Sequence, residues 1–286
     1  LAENAGAFSK ADRARLDAGL AELLAAVGHR PAAVDLYTRA AAEAPFDIAI
    51  RAALFDLALA EKREDLQARM LAEITALEGA DGPVRIVAEV TRDLSNLKPG
   101  DPTTAIRSRL NVALAARENW GRIHALLGDL AQLDGQPDAA LDHYRKALDL
   151  GARHDALARN AVALLLDRNR HPEALTLLGR FGGEYPLAPD LAKQQTILRS
   201  MFGEDPARNL AWARSPETAG SKDYRDHLSR ATVFALNGAP ADATKALRQA
   251  VALNDAVPEA WVALVRFLAA SGETAEAEAA AMEAAK

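Results

Sequence analysis

Turn-forming residues recur along this chain at a nearly fixed interval. Gly28, Gly135, Asn169, Gly203, Gly238 and Gly272 are separated by 107, 34, 34, 35 and 34 residues, and each soon gives way to a Pro or an acidic residue opening a new apolar-periodic run. An interval near 34 predicts helix-turn-helix hairpins stacked one on the next, because a lone hairpin leaves an apolar face open. In this register, units begin near 14, 48, 87, 121, 155, 189, 224 and 258. Two slips are needed, five residues at 79–83 ("GADGP") and one at 220–224 ("GSKDY"). The expected fold is all-α, about eight units in a single domain over 1–286, with either a bend or a longer loop near 79–86.

Composition agrees with close-packed helices. Half of the residues are hydrophobic but only 5% are aromatic; much of the apolar share is alanine, which favours helix, whereas strands favour β-branched and aromatic residues. The net charge of -6, with Lys and Arg interleaved among Asp and Glu, offers no basic footprint for a phosphate backbone, so nucleic acid is not expected as a partner. Apolar runs such as "LAELLAAVG" fall far short of the roughly 20 residues of a membrane span, so no direct membrane insertion is expected. Lack of cysteine excludes disulfides and thiolate metal sites and leaves the compartment open, cytoplasm or periplasm alike. The start, "LAENAGAFSK", has neither Met nor the charged head and apolar centre of a signal peptide, and a piece of a longer chain is expected.

Small and large residues hold constant places within the units. The unit from 121 carries Leu127, Gly128, Gly135, Ala140, Tyr144 and Ala147; the unit from 14 carries Leu20, Gly28, Ala33, Tyr37, Ala40 and Pro45. Leu165, Ala174, Leu178 and Pro186 follow in the unit from 155, Phe234, Gly238, Ala243 and Leu247 in that from 224, and Trp261, Leu264, Gly272 and Ala277 in the last. Units from 48, 87 and 189 keep little of the pattern. These residues resemble the tetratricopeptide repeat family, with its W-x2-L-G-x2-Y, A-x3-F, A, P code. The resemblance implies a right-handed α-solenoid with a concave groove that takes a peptide or a partner protein, and no cofactor. Gly128 and Ala140 are expected to meet across their hairpin with Tyr144 beside them, and Ala147 to admit the next hairpin.

Patterns for phosphate loops, dinucleotide sites, nucleophile elbows and H-E-x-x-H metal helices are absent from the sequence, so a catalytic role is not expected. The six histidines are scattered and read as surface or hairpin residues; Trp120 and Trp212 read as packing residues, and Trp261 occupies the family's own core position. Carrying over the family's groove positions marks Arg122 and Asp129 in one unit, Arg159 and Asn160 in the next, and Lys193 and Gln194 in a third. Of the residues that clamp a C-terminal carboxylate in some family members only Asn160 matches, and Asp129 and Asp190 carry the opposite sign, which disfavours such a clamp. Three roles stay open: a non-catalytic interaction scaffold, the repeat arm of a larger enzyme or secretion and envelope-assembly protein, and a coat-like structural module.

Overall fold

The computed structural model describes residues 9–98, 100–182 and 187–285, and among them every regular element is a helix. The chain divides into two compact units, 1–152 and 153–286. The first holds four hairpins: α1 (Lys10–Ala26) with α2 (Arg30–Glu43), α3 (Ile48–Ala60) with α4 (Glu64–Glu78), α5 (Pro83–Asn96) with α6 (Thr104–Ala116), and α7 (Gly121–Leu133) with α8 (Pro137–Asp149). In the second, α9 (Asp155–Asp167) pairs with α10 (His171–Phe181), and α11 (Pro189–Met201) with α12 (Pro206–Arg214), extended by the one-turn α13 (Pro216–Ala219). Its last hairpins are α14 (Tyr224–Leu236) with α15 (Pro240–Leu253) and α16 (Pro258–Ala270) with α17 (Thr274–Ala284). Within each unit a helix touches mainly its hairpin mate and the helices of the adjoining hairpin, the nearest-neighbour order expected of repeats.

The 34-residue interval has a backbone cause. At seven hairpin turns the first helix ends on a left-handed residue, and the next N–H reaches back five residues to a helix carbonyl, as from His29 to Leu24 and from Gln136 to Ala131, both 2.8 Å. This closure satisfies the carbonyls a helix end leaves open, and its positive φ favours glycine. Lys62 (φ 56°) and Asn169 (φ 56°) hold the same place without glycine's freedom, and Lys62 supplies one of the two members missing from the glycine series between 28 and 135, the other falling in the α5–α6 connection.

One boundary differs from the expected register. The third hairpin starts at Pro83, four residues before 87, and the loop 79–82 is no longer than 44–47 or 117–120. "GADGP" is a tight turn: the Glu78 carboxylate accepts the Val84 and Arg85 N–H groups at 2.8 and 3.2 Å and so caps α5, and a Cβ on Gly82 would lie 2.2 Å from Glu78 Cγ. The extra residues sit in 97–103, between α5 and α6.

Packing follows the small-large code with one refinement. Ala140, Tyr144 and Ala147 are fully buried and Leu127 nearly so, as are Ala33 and Ala40 beside Tyr37 in the first hairpin, and Ala174 and Ala243. Gly128 faces the Tyr144 ring itself rather than Ala140, since a Cβ there would lie 2.4 Å from Tyr144 Cε1. Ala147 is approached by Gly121 of its own hairpin, whose Cβ would lie 2.7 Å from the Ala147 carbonyl oxygen. Pro45 is exposed in the turn between α2 and α3, where it cannot continue α2; Pro186 lies outside the described residues. Burying a large apolar side chain stabilises by about 1.5–3 kcal/mol against about 0.2–1 kcal/mol for an exposed ion pair, so packing sets these hairpins and surface charge adjusts them.

Candidate functional site

The expected groove residues all lie on first helices of hairpins, and most are already engaged by this chain. Arg122, the second residue of α7, forks onto both carboxylate oxygens of Asp56 on α3 and also donates to Thr91 Oγ1 on α5 at 3.2 Å. One guanidinium thus joins the first helices of three successive hairpins. In the second unit Arg159 of α9 forks onto Asp190 of α11, Nε to Oδ2 at 2.5 Å and Nη2 to Oδ1 at 2.9 Å. Lys193 of α11 donates to Asp226 of α14 at 2.8 Å, and Asp226 takes a second hydrogen bond from Ser221 at 2.6 Å.

These links set the local electrostatics. The hydrogen bond from Arg159 holds the Asp190 carboxyl below the usual carboxylate range against the opposing effect of burial, and the same bond raises the Arg159 guanidinium. For Asp226, burial works upward but Lys193 and Ser221 together win, and the carboxyl is lowered. Asp129 accepts the Tyr144 hydroxyl at 2.7 Å, which also reaches Gln132 at 3.0 Å, so a groove residue helps pin the packing tyrosine. Asn160 and Gln194 are half-buried on α9 and α11. The structure thus brings Arg159 to Asp190 and Lys193 to Asp226, and the four groove candidates Arg159, Asn160, Lys193 and Gln194 lie on the same two helices, α9 and α11. Asp56, Thr91, Ser221 and Asp226 were not among the expected residues. Opposite charges one unit apart, as at Arg159 and Asp190, were the available signal.

A second set of polar side chains occupies the fourth position of first helices, where the family code has tryptophan. In α3 this is Arg51, 5% exposed, donating to the carbonyls of Ala41 and Ala44 at the end of α2 and of Asp47 just before α3. Its Nε lies 3.0 Å from Glu73 Oε2 of α4, at an angle too poor for a hydrogen bond, so that contact is electrostatic. In α7 the residue is His124, stacked on His143 of α8 with the two Nδ1 atoms 3.3 Å apart; burial lowers both imidazoles. In α14 it is His227, whose Nδ1 lies 2.8 Å from Arg230 Nη1 and whose Nε2 lies 3.0 Å from the Ser221 carbonyl. A guanidinium only donates, so His227 accepts on Nδ1 and carries its proton on Nε2. Arg230, lowered by its burial, also binds the Ala213 carbonyl and Gln249. Two of the six histidines expected at surfaces or hairpins are thus core groups. In α16 the fourth residue is Trp261, packed against the core of α14 to α17.

Among the described residues no cluster of three or more His, Cys, Asp or Glu has a metal-holding arrangement, and no helix is long and apolar enough to cross a membrane. No family model matches the chain, and no curated protein does. Among solved structures, the human IFIT1 dimer with m7Gppp-AAAA superposes with a TM-score of 0.50 at 13% identity, over 96% of this chain and 62% of that one. TTC0263, a thermophilic TPR protein of Thermus thermophilus, gives 0.48 at 19% identity, over 65% of this chain and 98% of its own. The APC/C hetero-tetramer Cut9-Hcn1 gives 0.45 at 14% identity over 90% of this chain, which spans 43% of that one. At 13% identity the likeness to the first is one of fold alone, and the fold is an all-α array of helical hairpins.

Proposed function

We propose that this tetratricopeptide-like chain is a non-catalytic interaction scaffold that holds an extended peptide or a partner segment along the faces of its first helices. The observation that supports this reading is the ladder of paired side chains running from one first helix to the next. Arg159 and Asp190 keep 44% and 49% of their side-chain surface open, so a partner can reach both members of the pair from the solvent side. Gln194 adds a further amide beside Lys193.

The ladder also constrains the partner. A ligand carboxylate that takes Arg159 from Asp190 breaks one ion pair to make another, and exposed pairs contribute only about 0.2–1 kcal/mol each. Affinity then has to come from backbone hydrogen bonds and apolar contacts spread over several hairpins, with the paired charges setting direction and register. A phosphate backbone is disfavoured by the net charge of -6 and by the engagement of Arg122 and Arg159.

Panning a displayed peptide library against the chain, followed by hydrogen exchange with and without the selected peptide, tests the reading. Protection is expected on α9 and α11, with affinity reduced in an Arg159→Ala, Lys193→Ala double variant that keeps its helical content. Selected peptides that protect only second helices sink the proposal. The coat-like alternative draws on the same ladder, since Arg122 tied to α3 and α5 fixes the angle between hairpins; under it the double variant alters stability and leaves partner capture unchanged.

A further inference from the structure

A cleft of about 840 Å³ opens between α15 and α17, over Trp261 of α16. It exists because α17 presents Ala279, Ala280 and Ala284 there, side chains too short to cover an indole. The Trp261 Nε1–H donates to the Asp255 carbonyl at 2.8 Å, which fixes the ring while part of it stays open to solvent. Val251 and Leu264 supply an apolar wall, and the ionisable lining is Arg248, Asp255, Glu276 and Glu283. Arg248 is consumed by Glu276, so two carboxylates, Asp255 and Glu283, are left without a basic partner among the described residues.

The first unit shows what this register accommodates. Counted from the helix starts, the matching cleft between α2 and α4 has Arg51 at the place of Trp261 and Glu73 at the place of Glu283. There the chain's own Arg51 shares the lining with Leu54 and Met70 and lies beside the glutamate, which Arg69 also holds. In the last hairpin the glutamate is kept, the arginine is replaced by an aromatic face, and among the described residues no internal cation fills the space between them. Aromatic faces attract cations, and long basic side chains bury an aliphatic stem while presenting a charged head.

We propose that the Trp261 cleft binds the arginine or lysine side chain of a basic peptide segment, stem against Val251 and the indole, head toward Glu283 and Asp255. This site is separate from the first-helix ladder and stands or falls without it. The test uses the whole chain, ¹⁵N-labelled, and two probes: acetyl-Ala-Leu-Arg-Leu-Ala-amide and the same peptide with neutral citrulline in place of arginine. The Trp261 indole N–H resonance, assigned by its loss in Trp261→Phe, is expected to shift saturably with the arginine peptide while those of Trp120 and Trp212 stay put. Citrulline is expected to weaken binding at least about fivefold, and Glu283→Gln or Asp255→Asn each about two- to fivefold, the range of one exposed charge pair. Both carboxylates are solvent-exposed, so the variants keep the fold and circular dichroism verifies it. Equal affinity for the citrulline peptide, no shift at Trp261, or full affinity in a folded Glu283→Gln, Asp255→Asn double variant overturns the proposal.

Discussion

Gly128→Ala sets two well-measured effects against each other. Alanine in place of glycine inside a helix stabilises by about 1 kcal/mol from propensity alone. Here the new methyl would lie 2.4 Å from Cε1 and 2.5 Å from Cδ1 of Tyr144, so the ring has to retreat by about 1 Å to reach ordinary contact. It has nowhere to go: Tyr144 is fully buried, and its hydroxyl is held by Asp129 and Gln132. Overpacking of this kind costs about 1–3 kcal/mol, and pulling the hydroxyl off its acceptors adds about 1 kcal/mol. The net expectation is a destabilisation of about 1–3 kcal/mol, opposite in sign to the propensity effect. Val162 and Leu178 occupy the same two register positions in the next hairpin, both buried, so Gly128→Val with Tyr144→Leu copies a pairing the chain already uses and should couple favourably by about 1 kcal/mol or more. Urea unfolding by circular dichroism gives the overall change, and hydrogen exchange of α7 and α8 amides localises it, since repeat arrays open in parts. A Gly128→Ala chain more stable than its parent would refute the close approach of α7 to Tyr144.

The left-handed turns predict opposite effects for related changes: Lys62→Gly should raise stability by about 0.5–1 kcal/mol and Gly238→Ala lower it by about 1 kcal/mol, both read from thermal unfolding. Arg51→Met removes a guanidinium that satisfies three carbonyls and faces Glu73; a loss of about 2–3 kcal/mol is expected, and a change within about 0.5 kcal/mol, the range of an ordinary surface substitution, would show that water replaces it freely. Burial lowers the imidazoles of His124 and His143 from 6.5; Lys146 adds to the effect on His124, and His124 and Arg107 add to that on His143. A lowered histidine means that the unfolded chain takes up protons first, so the contribution is complete above about pH 6.5 and is lost as pH falls from there through the folded value. Melting temperature between about pH 5 and 8 should therefore decline on the acidic side, less steeply in His124→Phe, and an unchanged slope in that variant would remove the pair as its source.

What could be read from the residues, and what could not, divides according to how far a signal reaches along the chain. Helical hairpins were legible because the turn is local: a left-handed residue, then proline or an acid, is written within about five positions, and the i to i−5 closure repeats with it. Lys62 escaped because its turn is set by the backbone around it while its residue type advertises nothing. The register error at 83 arose between two segments rich in breakers, "GADGP" and "LKPGDP"; only the Glu78 carboxylate over the start of α5 distinguishes the tight turn from the insertion. The engagement of the groove residues was hidden for another reason. Helix periodicity places Arg122, Arg159 and Lys193 on first-helix faces, but a charge on a face is free or engaged according to what the neighbouring hairpin presents, and those partners lie 31 to 66 residues away.

The same logic explains the fourth position of the first helices. A family code with tryptophan there makes Arg51, His124 and His227 look like degeneracy, which is why the unit from 48 seemed barely recognisable. In the structure each polar residue brings its own mate from the second helix or the neighbouring turn: Glu73 for Arg51, His143 for His124, the Ser221 carbonyl for His227. A tryptophan needs one acceptor for its indole N–H, which the Asp255 carbonyl supplies for Trp261, whereas a guanidinium or imidazole brings more polar atoms that have to be paired when buried. Where the mate is itself a side chain, as for Arg51 and His124, the exchange involves two sites together, and a search residue by residue sees two mismatches where the hairpin has exchanged one contact for another. Glu283 is the case where half of such a pair stands opposite the tryptophan itself, and that is what makes the last cleft chemically different from the first.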